Sequence, residues 1–161
     1  MAAVDYFLKL EGIEGESQDE KHKNEIHIES FSFGVSNVGT GGYNLGSGAG
    51  KASFQDISFN KRTDKSSTNL QLACASGKHI ANGLFTARKA GEKPVEFLKI
   101  KLTEVFISSW NVSGHGEGGI TSESFTINFS KIETEYTPQK ADGTPSASVH
   151  SGWDIKANKK I

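Results

Sequence analysis

The sequence predicts a mainly β domain with one helix, closed as a barrel or as a two-sheet sandwich. Most segments alternate apolar and polar residues with a period of two and are rich in Phe, Ile, Val and Thr. One stretch alone, residues 64–78, has the features of a helix. Two strand-like runs, residues 95–112 and 122–136, exceed the usual five or six residues and should pair as an extended antiparallel hairpin.

The first third of the chain predicts two strands separated by a loop. Tyr6, Leu8 and Leu10 share one face of the first strand, and the charged residues 15–24 predict a solvated loop. In the segment EIHIESFSFGVS, Ile26 and Ile28 share one parity, whereas Phe31 and Phe33 share the other. Such a slip predicts a bulge that turns the faces of the strand over.

The remaining elements follow from caps and turns. Residues 52–62 predict a strand whose phase changes between Phe54 and Ile57. Asp64 or Ser66 can cap the start of the helix, and Gly77 should end it. Four further strand-like runs follow, at residues 83–90, 95–112, 122–136 and 148–157.

Length and composition limit the functions that the chain can have. A chain of 161 residues is expected to form one domain, residues 1–161. With 18 basic and 19 acidic residues and no basic run, nucleic acid is an unexpected partner, while near-neutrality permits self-association. The lone Cys74 gives no disulfide framework and predicts a buried thiol on the helix. The N-terminus lacks a signal peptide or membrane span, which predicts synthesis in the cytoplasm and a dedicated machine for any export.

A glycine-rich arm interrupts the strands: six of the 13 residues from 38 to 50 are glycine. A phosphate loop is excluded, because Leu45 stands where its first glycine belongs and Ala52 where it needs a hydroxyl. A plain mobile loop is one alternative. An arm reaching about 20 Å to a neighbouring subunit is the other. The residues that we assign to such an arm are Val38, Gly41, Gly42, Tyr43, Leu45, Gly48, Gly50 and Lys51.

Enzyme signatures are weak. The five histidines are scattered, no pair has the spacing of a zinc protease, and GxSxG does not occur. Glu25, His27 and Glu29 share one strand face that could hold a metal, although a solvated face is the preferred interpretation. We therefore predict no catalytic residue, no cofactor and no metal ligand.

The chain resembles one family almost end to end, the haemolysin-coregulated proteins (Hcp), tube subunits of bacterial type VI secretion systems. The resemblance rests on the order and spacing of many segments. They are DYFLKLEGIEGES, SFSFGVSN, QDISFNK, DKSSTNLQLACASGKHI, TARKAG, VEFLKIKLTEVFISSW, ESFTINFSKIETEYTPQKADG and GWDIKAN.

The resemblance implies a compact β-barrel of two antiparallel sheets with one flanking helix and a long Gly-rich hairpin arm, residues 38–53. It also implies homohexameric rings that stack into a tube, with spike and sheath proteins as partners. The type VI system would export this tube from the cytoplasm, and the chain would not insert into a membrane. Small effector proteins are implied cargo in the lumen. Because Ser30 and Ser32 point away from Phe31 and Phe33, we expect the two serines to face that lumen. Ending at Ile161, the chain is expected to carry no C-terminal toxin domain.

Two other function classes stay open from the residues alone. A β-barrel module for a small ligand or glycan would use the arm as a lid over a cavity. A hydrolase built from dispersed Ser, His and Asp residues would need a reactive serine or a metal.

Overall fold

The computed structural model of the protein describes residues 3–39 and 49–161. Eleven strands and one helix lie within these ranges. In chain order the strands are β1 (Val4–Leu10), β2 (Ile26–Ile28), β3 (Ser30–Ser32), β4 (Val35–Gly39), β5 (Ala49–Phe54), β6 (Ile57–Arg62), β7 (Ile80–Lys89), β8 (Val95–Ser113), β9 (Ser122–Tyr136), β10 (Val149–Asp154) and β11 (Lys159–Lys160). The helix α1 (Ser67–Ser76) lies between β6 and β7. The predicted mainly β fold with two antiparallel sheets and one helix is confirmed.

The larger sheet has nine strands in the order β11–β10–β9–β8–β7–β1–β2, with β6 on β9 and β3 on β6. The strand β9 changes neighbours along one edge: its first half pairs with β6 and its second half with β10. Its other edge pairs with β8 throughout, so the predicted long hairpin is confirmed. The smaller sheet is the ribbon formed by β4 and β5.

The predicted phase slip is a change of pairing partner. Ile26 and Ile28 are buried where β2 pairs with β1, and one residue later β3 pairs with β6. Glu29 separates the two strands, and its backbone N–H donates to Asn60 O at 2.8 Å. The stretch from 26 to 32 thereby links β2, at one end of the large sheet, to the branch formed by β6 on β9, and gives the sheet a barrel-like course.

A second face reversal occurs in β8 at Glu104. Ile100 and Leu102 are buried before it and Val105 and Ile107 after it, which a regular alternation does not allow. Glu104 lies at this reversal with φ +50°, in the left-handed region, while the pairing register with β9 is the same on both sides of it. Its carboxylate accepts hydrogen bonds from Ser130 Oγ at 2.9 Å and Lys156 Nζ at 2.7 Å, which hold the bend.

Aromatic side chains fill the inside of the large sheet. Phe59, Phe85 and Phe125 are fully buried. The ring centroid of Phe59 lies 5.3 Å from that of Phe125 and 5.6 Å from that of Phe85. The interior is therefore a packed core rather than a ligand chamber.

The helix ends as predicted at Gly77, which has φ +64° and donates its backbone N–H to the last turn. At the start, Asp64 Oδ1 accepts the backbone N–H of Ser66 at 2.8 Å. Cys74 is only half-buried on α1, so the expectation of a buried thiol is met in part. No helix in the described part of the chain is both long and apolar enough to cross a membrane.

Candidate functional site

The expected arm begins and ends in the β4–β5 ribbon. Gly39 pairs with Ala49 at its far end, and Gly50 and Lys51 lie in β5. The backbone of Val38 lies in β4. The other arm residues that we assigned, Gly41, Gly42, Tyr43, Leu45 and Gly48, lie outside the described residues.

Side chains at the base of the ribbon differ in exposure, although Val35 and Phe54 are paired there. At the base, the Phe54 ring packs within 6.4 Å of both Phe33 and Phe129, which fixes the ribbon to the core. Val35, in β4, is exposed. The ribbon pairs with no strand of the large sheet among the described residues, so its edges remain available to another chain.

Strand β3 places Ser30 and Ser32 as the alternation predicted. Phe31 packs inward, with its ring centroid 4.5 Å from Phe85 and 5.3 Å from Tyr6. Ser30 and Ser32 are exposed on the opposite face. The Oγ atom of Ser30 accepts a hydrogen bond from Asn60 Nδ2 at 2.9 Å. The two serines therefore belong to a polar outer face.

The prediction that residues 15–24 form a solvated loop is met in part, because most of these residues are exposed but three are buried. Gly15, Ser17 and His22 are buried. His22 stacks on the Phe7 ring at a centroid distance of 4.3 Å and an interplanar angle of 7°. Alternation places Phe7 on the face of β1 opposite Tyr6, Leu8 and Leu10, but the charged composition of the loop does not show that His22 covers that ring.

Two sets of ionic contacts hold the 15–24 loop. His22 Nδ1 lies 2.9 Å from Glu25 Oε2, and His22 Nε2 lies 2.7 Å from Glu96 Oε1. Arg88 donates to both carboxylate oxygens of Asp19, at 3.0 and 2.5 Å. The hydrogen bonds from Arg88 hold the pKa of Asp19 well below its ordinary range, against a smaller opposing effect of burial.

The side chains of Glu25, His27 and Glu29, which could have held a metal, each have a different neighbour. Glu25 contacts His22, whereas Arg62 Nε donates to Glu29 Oε1 at 2.9 Å. His27 instead lies edge-on to Phe7. Across residues 3–39 and 49–161, three or more His, Cys, Asp or Glu side chains nowhere gather as metal ligands would.

A buried ionic cluster, which the sequence did not reveal, joins α1 to the β6–β9 pair. Lys61 Nζ lies 3.2 Å from Glu123 Oε1 and 2.9 Å from Asp64 Oδ1, and the Lys61 and Glu123 side chains are 0% exposed. Ser67 Oγ donates to Glu123, and Trp110 Nε1 donates to Glu123 Oε1 at 2.9 Å. A serine beside a lysine suggests a nucleophile, but this one is sealed from any substrate. The cluster attaches α1 to the β6–β9 pair.

An apolar row crosses the end of the large sheet. Leu98, Tyr136 and Val149 are aligned partners on β8, β9 and β10. Tyr136 is 47% exposed and Val149 is 60% exposed. The row and the ribbon are two different surfaces with exposed apolar atoms, which is the requirement for a heterologous contact between copies.

Comparison with known proteins decides the family. The family described as "Type VI secretion system effector, Hcp" matches residues 7–136. The chain belongs to the Hcp family. It is 44% identical over 158 residues to protein hcp1 of Pseudomonas aeruginosa, covering 97% of this chain and 98% of that one.

Solved structures agree. This Hcp chain superposes on a type six secretion system protein with a TM-score of 0.94 and 28% identity, over 99% of this chain and 100% of the other. Hcp1 from Salmonella typhimurium gives a TM-score of 0.79 and 36% identity over 100% of both chains. The expectation of an Hcp fold is confirmed, and the chain is a type VI secretion protein.

Proposed function

We propose that this Hcp chain is a structural subunit of the type VI inner tube and not an enzyme. Six copies form a ring, and the rings stack into a tube. The tube is exported through the sheath behind the spike protein. The observation that carries the proposal is the end-to-end similarity to protein hcp1, 44% identity over 158 residues. The unpaired ribbon and the Leu98–Tyr136–Val149 row, of which Tyr136 and Val149 are exposed, support it, because a ring joins two unlike surfaces of each copy.

The packed core argues against the alternative of a ligand-binding barrel. Phe59, Phe85 and Phe125 occupy the space that a ligand would need. Within residues 3–39 and 49–161 these rings leave no interior chamber over which the ribbon could close as a lid.

Native mass by light scattering, with negative-stain images of the same sample, tests the ring. We expect a particle of six 17.3-kDa chains with an open centre. A stable monomer over a wide concentration range would contradict the proposal.

A substitution tests the role of the row. Tyr136→Asp places a charge in the proposed contact and should shift the mass from six chains towards one. Leu72→Asp, on the exposed face of α1, is the matched control. A Tyr136→Asp protein that still forms complete rings would exclude the row from the ring contact.

We further propose that Ser30 and Ser32 line the lumen and contact effector cargo. Their exposure opposite Phe31 is the supporting observation. Ser32→Gln should abolish co-purification of a small effector while the rings stay intact, because the longer side chain occupies the contact surface. Ser76→Gln, the same change at the end of α1, should leave cargo binding unchanged. Undiminished cargo binding by intact Ser32→Gln rings would refute this assignment.

A further inference from the structure

We propose that the 15–24 loop is a proton-dependent clasp, closed over Phe7 by the imidazolium form of His22 and released when that proton is lost. The geometry of the ring carries the proposal. Each of its two nitrogens lies within hydrogen-bond distance of a carboxylate oxygen, Glu25 Oε2 on one side and Glu96 Oε1 on the other. An ionised carboxylate only accepts, and a neutral imidazole has a single N–H to donate. Only the imidazolium makes both contacts.

The surroundings of His22 favour its positive charge. Within the network that closes the loop, the carboxylates are those of Asp5, Asp19, Glu25 and Glu96, and the permanent cations are Arg88 and Lys99. Lys21 is exposed on the loop itself, and His27 lies at the edge of Phe7. An imidazolium offsets the excess of carboxylates, and its stack on Phe7 adds a cation–π contact.

Glu96 and Asp19 stay ionised through the neutral range. Burial raises the pKa of Glu96, but hydrogen bonds from His22 and Lys99 outweigh it and leave the pKa below its ordinary value. Asp19 likewise stays ionised on Arg88. Of the two side-chain contacts that hold the loop, the His22 contact is therefore the one that depends on a proton, because Arg88 is a permanent cation.

The closed loop also leaves hydrogen bonds unmade. Glu25 Oε1 and Arg88 Nε are buried without a hydrogen-bond partner among the described residues. Opening returns both atoms to water and uncovers the Phe7 ring. The loop is consequently the kind of unit that opens locally while the core stays folded.

The direction of the pH dependence follows from proton counting. The closed loop keeps the proton over a pH range in which an open loop, with an ordinary histidine, has lost it. The equilibrium between open and closed loop should therefore not change with pH below about 6.5, the ordinary pKa of histidine. Above that pH the closed loop should become less stable. One linked proton changes the opening equilibrium by at most tenfold per pH unit.

Hydrogen exchange followed from pH 5.5 to 8.5 on the intact protein tests the clasp. The reporting amides are those of Gly15, Ser17 and Asn24, each bonded within the loop or to Glu25. After correction for intrinsic exchange, their protection should fall up to tenfold per pH unit in the upper part of this range. Ring ¹⁵N–¹H correlation spectra of His22 at pH 7 should show both nitrogens protonated.

Variants separate the clasp from general effects of pH. His22→Gln should give low protection that no longer depends on pH, and Glu96→Gln should flatten the profile, because an amide can donate to a neutral ring. His150→Gln, which alters an exposed histidine 3.8 Å from Glu135, should behave as the parent protein. Flat protection in the parent protein, a neutral His22 ring at pH 7, or an unchanged pH profile in His22→Gln would each overturn the proposal.

Discussion

Removing the charge of Lys61 should strongly destabilise the fold. Lys61→Met keeps the length of the side chain but leaves the fully buried Glu123 carboxylate without its cation, 3.2 Å away in the parent protein. Breaking a buried ion pair from one side costs about 3–5 kcal/mol. For a domain of this size, about 2–4 °C of Tm are lost per kcal/mol, so the expected fall is about 6–20 °C.

Urea unfolding followed by tryptophan fluorescence measures this loss, because Trp110 contacts Glu123 directly. All variants are compared at one protein concentration, since self-association also stabilises the folded chain. Lys65→Met, which removes an exposed lysine 3.4 Å from Glu14, should cost no more than about 1 kcal/mol.

A double variant isolates the charge. In Lys61→Met/Glu123→Gln the buried carboxylate is gone, while the amide oxygen can still accept the Trp110 N–H, so most of the stability should return. The reasoning is refuted if Lys61→Met loses no more stability than Lys65→Met, or if the double variant is as unstable as the single one.

Three further changes test single features. Gly77→Ala places a Cβ at φ +64° and should cost about 1–2 kcal/mol of unfolding free energy in urea, whereas a neutral result would mean that α1 can end differently. Gly15→Ala would put its Cβ 2.6 Å from the Glu25 carbonyl oxygen, so limited proteolysis should cut residues 15–24 faster, while Gly116→Ala, with open space around it, should not change the rate. Asp19→Asn should lower the urea midpoint at pH 7. Because Arg88 lowers the folded-state pKa of Asp19, that difference should shrink as the pH falls below about 4, and a constant difference would rule out the ionic contribution.

Local patterns predicted much of the fold. The alternation in residues 95–112 and 122–136 predicted β8 and β9, and Gly77 predicted the end of α1. The parity slip after Ile28 is a reversal of faces, as predicted, but it arises where the chain passes from β2 to β3 and changes its partner strand, not from the predicted bulge. The alternation of apolar and polar residues in a strand, and the residue types that end a helix, depend only on residues close together in the chain. A sequence therefore displays both directly.

The sequence by itself therefore determined the strand content, the helix, the family resemblance and the outward direction of Ser30 and Ser32. Only the tertiary structure decided that Lys61 meets Glu123 and that His22 is enclosed by Glu25 and Glu96. Lys61 and Glu123 are 62 positions apart in the sequence, and His22 and Glu96 are 74 apart. A charged residue looks the same in a sequence whether it is solvated or buried, because its environment is set by strands that pair from distant parts of the chain.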